Sequence, residues 1–366
     1  MTEDYQDYNK NDKKIINVKK KYNIRILQKW VLLWSSLMIL ICLAVYAICV
    51  GSVDLTYKDV FNAIFRGAGD NASVEEIKKA GIIRLLRMPR IIMAILGGAG
   101  LSMCGVTMQG ITRNPLVSPY TIGISNAAAF GASLAIMFGS GTGIGHETLR
   151  IICAFLTALL CAVLVYGVAA IKNMKPITIV LMGIALTYLF SALTSTMQYI
   201  ANVYQLEAIV RWIFGSLVGA TWIQIGIMFL LIILSFPLLL SFSWHLNAMA
   251  SGEDDVPKGL GIDVSKVRII IGIISVILTA GIISFTGVIG FVGIVGPHIA
   301  RMIVGGDHRF LIPVSALFGS ILLLTADTIG RTLFNPITIP VGIVVAYIGV
   351  PIFVHLIIRR KKEAFE

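Results

Sequence analysis

Charge is what this sequence has least of. Asp, Glu, Lys and Arg make up 13% of the 366 residues while hydrophobic residues reach 57%, and a soluble globular domain carries about twice that share of charge. The shortage excludes a soluble globule and indicates an integral membrane protein. Motifs of self-contained chemistry are missing as well. There is no HExxH, GxSxG or GxxxxGK[ST], and the five histidines, His146, His245, His298, His308 and His355, stand far apart. The absent P-loop matters most, because a pump that hydrolyses ATP by itself needs one. Cysteine is scarce: Cys42, Cys49, Cys104, Cys153 and Cys161 all lie in apolar stretches with no CxxC pair or neighbouring His. They read as small buried hydrophobes, so neither a cofactor nor a bound metal is expected. Ionisable groups are also nearly absent from the interior of the apolar runs. Ion-coupled carriers place such groups along their pathway, so that class is disfavoured. The exception is Asp327, which with Arg331 one turn later reads either as an i,i+4 ion pair at the interface or as a relay.

What is present is a series of about ten apolar runs. They lie at about 30–50, 91–111, 119–139, 150–171, 177–200, 223–243, 267–285, 289–304, 311–328 and 340–358, most near the ~20 residues that cross a ~30 Å hydrocarbon core. The eighth is interrupted by Gly287, Gly290, Gly293, Gly296 and Pro297, which makes it either re-entrant or packed in the protein interior. The first is longer than a signal-peptide core and lacks an A-x-A site, so it reads as a retained helix. The Lys-rich segment 1–29 is expected to be a disordered tail. No Gly/Ser linker divides the rest, which gives one all-α membrane domain at 30–358, with a long loop at 244–266 and a closing tail at 359–366.

The net charge of +11 is not a nucleic-acid signature, because the basic residues cluster at the ends of apolar runs and in the tails. Counting alternate connections puts the N-terminal tail, Arg113, Lys172, Lys175, Lys258, Lys266, Arg268, Arg301, Arg309 and Arg359 to Lys362 on one side. The positive-inside rule makes that side, and both termini, cytoplasmic. Lys78, Lys79, Arg84, Arg87 and Arg90 crowd the opposite side against the rule, which marks a working surface; snorkelling to lipid head groups is the plainer alternative. In the adjoining span, Gly97, Gly98, Ala99 and Gly100 allow a neighbouring helix to approach closely. Asn114 before Pro115 is restricted to extended conformations, so the chain re-enters the membrane sharply there. In the long loop, MASGEDDVPKGLGIDVSKVR joins an acidic run, a Pro permitted in a first helical turn and a stop at Gly259 or Gly261. It reads as a short helix that seats in a partner, or as a solvated loop.

Six motifs run in order along the chain: RMPR at Arg87–Arg90, GAGLSMCGVTMQGITRNPLVSPYTIGIS at Gly98–Ser125, WIFGSL at Trp212–Leu217 and LNAMASGEDDVPKGLGIDVSKVR at Leu246–Arg268. GVIGFVGIVGPHIARMIVGGDHR at Gly287–Arg309 and ADTIGRTLFNPITIPVGIVVAYIGVPIF at Ala326–Phe353 complete the set. By these motifs the chain resembles the permease subunit of ABC importers for iron chelates, haem and cobalamin, the FecCD type. The resemblance implies a type II ABC importer permease fold of ten transmembrane helices. It also implies a dimer with a second copy or a homologous permease, two cytoplasmic ABC ATPase subunits, and an extracytoplasmic binding protein or lipoprotein. By the same resemblance, acidic residues of the binding protein would meet Arg87, Arg90 and Arg331. ATPase coupling would fall to Gly252, Glu253, Asp254, Gly259, Leu260 and Gly261. The acidic stretch is one residue longer than the family's pattern, and Pro257 stands where a small helix former is common. Asn114 and Pro115 match an RNP element to which a gate or path-shaping role is assigned; a helix-ending turn is the alternative. The expected location is the bacterial cytoplasmic membrane and the expected cargo a ferric siderophore, with haem or cobalamin next and no catalytic residue in this chain. An ATP-independent secondary carrier is the distant alternative.

Overall fold

With no water in a bilayer core to hydrogen-bond a bare backbone, a single chain of this composition satisfies its peptide groups in helices. The computed structural model describes residues 2–51, 53, 55–63, 73–139, 145–333 and 337–363, and no strand occurs among them. In chain order the helices are α1 Thr2–Cys49, α2 Tyr57–Phe61, α3 Val74–Gly81, α4 Met88–Thr112, α5 Ile124–Phe138, α6 His146–Ile171, α7 Pro176–Ile200 and α8 Val203–Ile213. They continue as α9 Trp222–Ser241, α10 Ser243–Ala250, α11 Asp255–Gly259, α12 Val264–Thr286, α13 Val292–Val304, α14 His308–Thr332 and α15 Val341–Glu363. Among the described residues seven are long and apolar enough to cross a membrane, and three shorter apolar stretches, α5, α13 and Val341–His355 of α15, stand where the third, eighth and tenth runs were expected.

The centre of the bundle is α4. Every residue from Gly100 to Thr112 is buried, and the helix packs against α14, α12, α13 and α9. Glycine permits this crowding. A Cβ on Gly98 would stand 2.3 Å from the Gly319 carbonyl oxygen of α14, and one on Gly105 would stand 1.9 Å from that of Gly293 in α13. Backbones therefore touch where side chains would hold them apart. By contrast, α1, α6, α7 and α9 leave most of their apolar surface open, as helices facing lipid do. A second core forms where α5, α6 and α7 close over α12, with Ile122, Ala158, Ile179 and Ile283 buried in it.

Several boundaries differ from the sequence reading. The segment expected to be a disordered tail is helical and continuous with the first span as α1, because nothing between Thr2 and Cys49 is Pro or Gly and helix propagates readily once nucleated. The second span reaches back to Val74, since α3 joins α4 through a π-helical stretch at Ile82–Arg87. The third starts only at Ile124, after turns that end on Gly123 at φ 87°. The eighth, α13, has 13 residues and so extends only about 20 Å; Gly287 at φ 69° and Phe291 at φ 62° break the chain ahead of it. The short helix is packed into the bundle, with Val292, Val295 and Ala300 buried. The expected loop at 244–266 is largely helical, holding α10 and α11. Phe334 to Pro336 of the last motif and the final three residues of the expected closing tail lie outside the described residues.

Candidate functional site

One end of the bundle carries the start of α14, the α10–α11 segment and the basic stretch around Lys29, which lies over the Phe310 ring at 5.0 Å; it is termed the tail end. The opposite, far end carries α2, α3 and α8. Arginine clusters sit at both, joined by α4.

At the tail end α4 stops at Arg113, whose backbone adopts φ 52°. The left-handed turn throws its side chain back over the bundle, where it donates to the Gly252 carbonyl and to Asp254 at 2.8 Å. Arg268, in the first turns of α12, approaches the same carboxylate from inside, donating from Nη1 to Oδ2 at 2.8 Å and from Nη2 to Oδ1 at 2.7 Å. Its Nε donates to the Ile111 carbonyl at 2.9 Å and its Nη1 to that of Met174 at 3.2 Å. The Arg268 side chain is 1% exposed, that of Asp254 28%. Hydrogen bonding from Arg268, with the charges of Arg268 and Arg113 added, holds the Asp254 carboxyl below the usual carboxylate range. Beyond it α11 closes as the sequence of the loop requires. Gly261 sits at φ 79°, its N–H bonds the Lys258 carbonyl at 2.9 Å and the Ile262 N–H bonds that of Pro257 at 3.0 Å, a Schellman stop. Gly252, Glu253, Gly259, Leu260 and Gly261 thus form one small protrusion, with Val256 and Leu260 exposed as apolar knobs.

The preceding helix is anchored separately. Asn247 of α10 donates to Asp307 at 2.9 Å and accepts from the His308 backbone N–H at 2.9 Å, which fixes α10 to the N-terminus of α14. Arg309 and Asn247 hold the Asp307 carboxyl far below its ordinary range. Asn114 accepts from the Leu116 N–H at 2.9 Å and is half-buried in its own turn; that geometry ends α4 and begins the approach to α5.

At the far end the three arginines expected to face outward are turned inward. Arg87 is 7% exposed and donates to the carbonyls of Ile48, Cys49 and Val53 at 2.5, 2.8 and 2.6 Å, satisfying orphan acceptors at the C-terminus of α1. Arg90 clasps Asp327 of α14 with Nε at 2.9 and 3.1 Å and Nη2 at 2.9 Å. Arg331 is 7% exposed, donates to the Ala47 carbonyl and lies 3.9 Å from Asp327. The expected i,i+4 pair of Asp327 and Arg331 is therefore the weaker contact; the close partner comes from another helix. Sequence reading missed it because nothing local links residues 237 apart. The one available signal was Asp327 itself, a carboxylate inside an apolar run, where a partner is obligatory. Among the described residues the exposed basic groups at this end include Lys58, Lys78, Arg84 and Arg211.

Also at the far end is a cavity of about 810 Å³ lined by Glu147, Arg150, Glu207, Arg211, Trp212 and Gln224 among others. Glu207 pairs with Arg211, and Glu147 accepts from Gln224 at 3.0 Å. Among the described residues no three His, Cys, Asp or Glu side chains stand together as a metal site.

These features, ten apolar helices with a loop segment clasped to the end of the central one, belong to a known architecture. The model of the FecCD transport family matches residues 37–359. The chain belongs to that family. It is 40% identical over 356 residues to MJ0087 of Methanocaldococcus jannaschii, covering 95% of this chain and 100% of that one. It is 33% identical to the molybdate import system permease MolB of Haemophilus influenzae, with 90% and 96% covered. Against the Fe(3+)-citrate import system permease YfmE of Bacillus subtilis it is 35% identical, with 75% and 81% covered. A solved structure of an ABC transporter in an inward-facing conformation superposes with a TM-score of 0.78 at 32% identity, covering 89% of this chain and 98% of that one. The chain is thus a membrane-integral ABC importer permease, a transport subunit of a family that works with ATPase and binding-protein partners.

Proposed function

We propose that this permease carries an iron chelate, a ferric siderophore or ferric citrate, into the cell. Two such relatives support the cargo: YfmE, and the iron(3+)-hydroxamate import permease FhuB of Bacillus subtilis, 34% identical over 329 residues. The observation that carries the transport reading is the build of the tail end, where the apolar knobs Val256 and Leu260 project from a protrusion fixed by side chains to three membrane helices. A surface offered to a partner and wired to the bundle is what an ATPase needs in order to move it. The positive-inside rule assigns this basic end, with both termini, to the cytoplasm.

A path between two permeases is supported by α7, which exposes Tyr188, Ser191, Ser195 and Tyr199 along one face. A polar stripe on a spanning helix belongs against protein or water rather than lipid tails. The binding protein would dock at the far end, meeting Lys58, Lys78 and Arg84, while Arg87, Arg90 and Arg331 hold that surface in shape. Charge complementarity there sets docking register and on-rate.

Proteoliposomes holding the permease with its cognate ATPase and binding protein test the reading through uptake of radiolabelled ferric siderophore, ferric citrate, haem, cobalamin and molybdate. ATP-dependent uptake of a ferric chelate in preference to the rest is the expected result. Preference for cobalamin, haem or molybdate would overturn the cargo, and uptake without ATP would overturn the class.

A further inference from the structure

The tail-end clasp has a property that neither family membership nor the loop's sequence supplies: one buried guanidinium is shared by four chain segments. Arg268 belongs to α12, and its donors reach the last turn of α4 at Ile111, the α6–α7 connection at Met174 and the α10–α11 loop at Asp254. The connection it meets is itself tightly wound, with Asn173 at φ 56° and Met174 at φ 54°. Arg113 adds a second strut between the end of α4 and the loop, one residue before Asn114. Because the Arg268 side chain is 1% exposed, its charge has little water to fall back on. Separating it from Asp254 would strand a buried cation, and removing one partner of such a pair is far more damaging than the pair is stabilising. The loop therefore cannot shift alone. Any displacement of α11 must carry Ile111, Arg113 and the Asn114–Pro115 turn with it, or break a buried fork-to-fork bond.

We infer that Asp254 is a positioning residue for transport, a clasp that stays closed through the cycle and makes the α10–α11 loop, the end of α4 and the start of α12 one rigid joint. On this view the ATPase pushes on Val256 and Leu260, and the motion reaches the α4–α5 turn without loss. The inference rests on the proposed reading of the loop as the ATPase contact.

Asp254→Asn keeps size and shape while removing the charge, and Asp254→Glu restores it. In the complete transporter, Asp254→Asn is expected to lower substrate imported per ATP hydrolysed by about tenfold, a coupling effect of ordinary size, with Asp254→Glu recovering part of it. Amides at 109–117 and 252–262 are expected to exchange hydrogen together, slowly in the native chain and faster in Asp254→Asn. A merely structural role would reduce import and hydrolysis in proportion to the complex remaining, at an unchanged ratio, and that result would overturn the inference. So would a rise in exchange confined to the loop. If Asp254→Asn assembles too poorly to measure, Arg113→Gln, which leaves the Arg268 pair in place, is expected to lower the ratio by a smaller factor; an unchanged ratio there would also overturn it. A native complex that imports nothing, by contrast, refutes the permease reading itself.

Discussion

The two ends of α4 use the same parts differently. At each, one aspartate is shared by two arginines: Asp327 by Arg90 and Arg331, Asp254 by Arg268 and Arg113. At the far end the carboxylate is the fully enclosed member, with 0% side-chain exposure; Arg331 donates besides to the end of α1, as does the neighbouring Arg87. All the partners belong to long helices or their ends, so the cluster is a fixed brace. At the tail end the arginine is enclosed, and the carboxylate sits on a short loop at 28% exposure. Burying the charge on the helix and placing its partner on the loop turns the same pair into a joint.

That contrast can be broken most severely at the brace. Asp327→Ala leaves Arg90 and Arg331 near one another without their counterion and is expected to destabilise the fold by about 3–5 kcal/mol, read as a large fall in thermal unfolding temperature in detergent. Loss of less than about 1 kcal/mol would mean that the far cluster is solvated and no brace. Next comes the helix between the clusters. Gly105→Ala sets a methyl against the Gly293 carbonyl and is expected to cost about 1–3 kcal/mol by forcing α4 and α13 apart, whereas Gly167→Ala meets nothing within 4 Å and should raise stability by up to about 1 kcal/mol through helix propensity. Equal effects of the two would contradict the close packing described. At the joint, Arg113→Gln is expected to change stability by under about 1 kcal/mol, since both members of that pair are partly exposed. The smallest effect is that of mild acid. The Asp254 carboxyl is lowered in the folded state, so the stability it contributes is full above its unfolded value, near 4, and is lost only as pH falls through the lower folded value. Hydrogen exchange at 252–262 should therefore be the same at pH 8 and pH 5 after correction for the intrinsic rate. Opening of the loop between those values would count against the clasp.

Much of the fold could be read along the chain. The apolar runs marked about ten helices, and Gly259 or Gly261 marked a stop that the fold puts at Gly261, because both signals are local: hydrophobic length and the ease with which glycine takes a left-handed turn. The small residues at Gly97–Gly100 announced close packing, but not that Gly98 meets Gly319. The arginines were harder. Counting Arg87 and Arg90 on the side where positive charge is disfavoured marked them as unusual, yet a count cannot tell whether a guanidinium faces water or caps the end of α1. Arg268 looked like one more basic residue among many, although it is the most enclosed charge at the tail end.

The sequence by itself therefore determined the class of molecule, its family and its helices, since each follows from composition, hydrophobic period or an ordered motif within a few turns of chain. The tertiary structure alone decided which charge meets which. Pairing of Asp327 with Arg90, and of Asp254 with Arg268 and Arg113, depends on which helix faces lie together when glycines let backbones touch. That arrangement is set by the packing of the whole bundle, and it separates the brace at one end of α4 from the joint at the other.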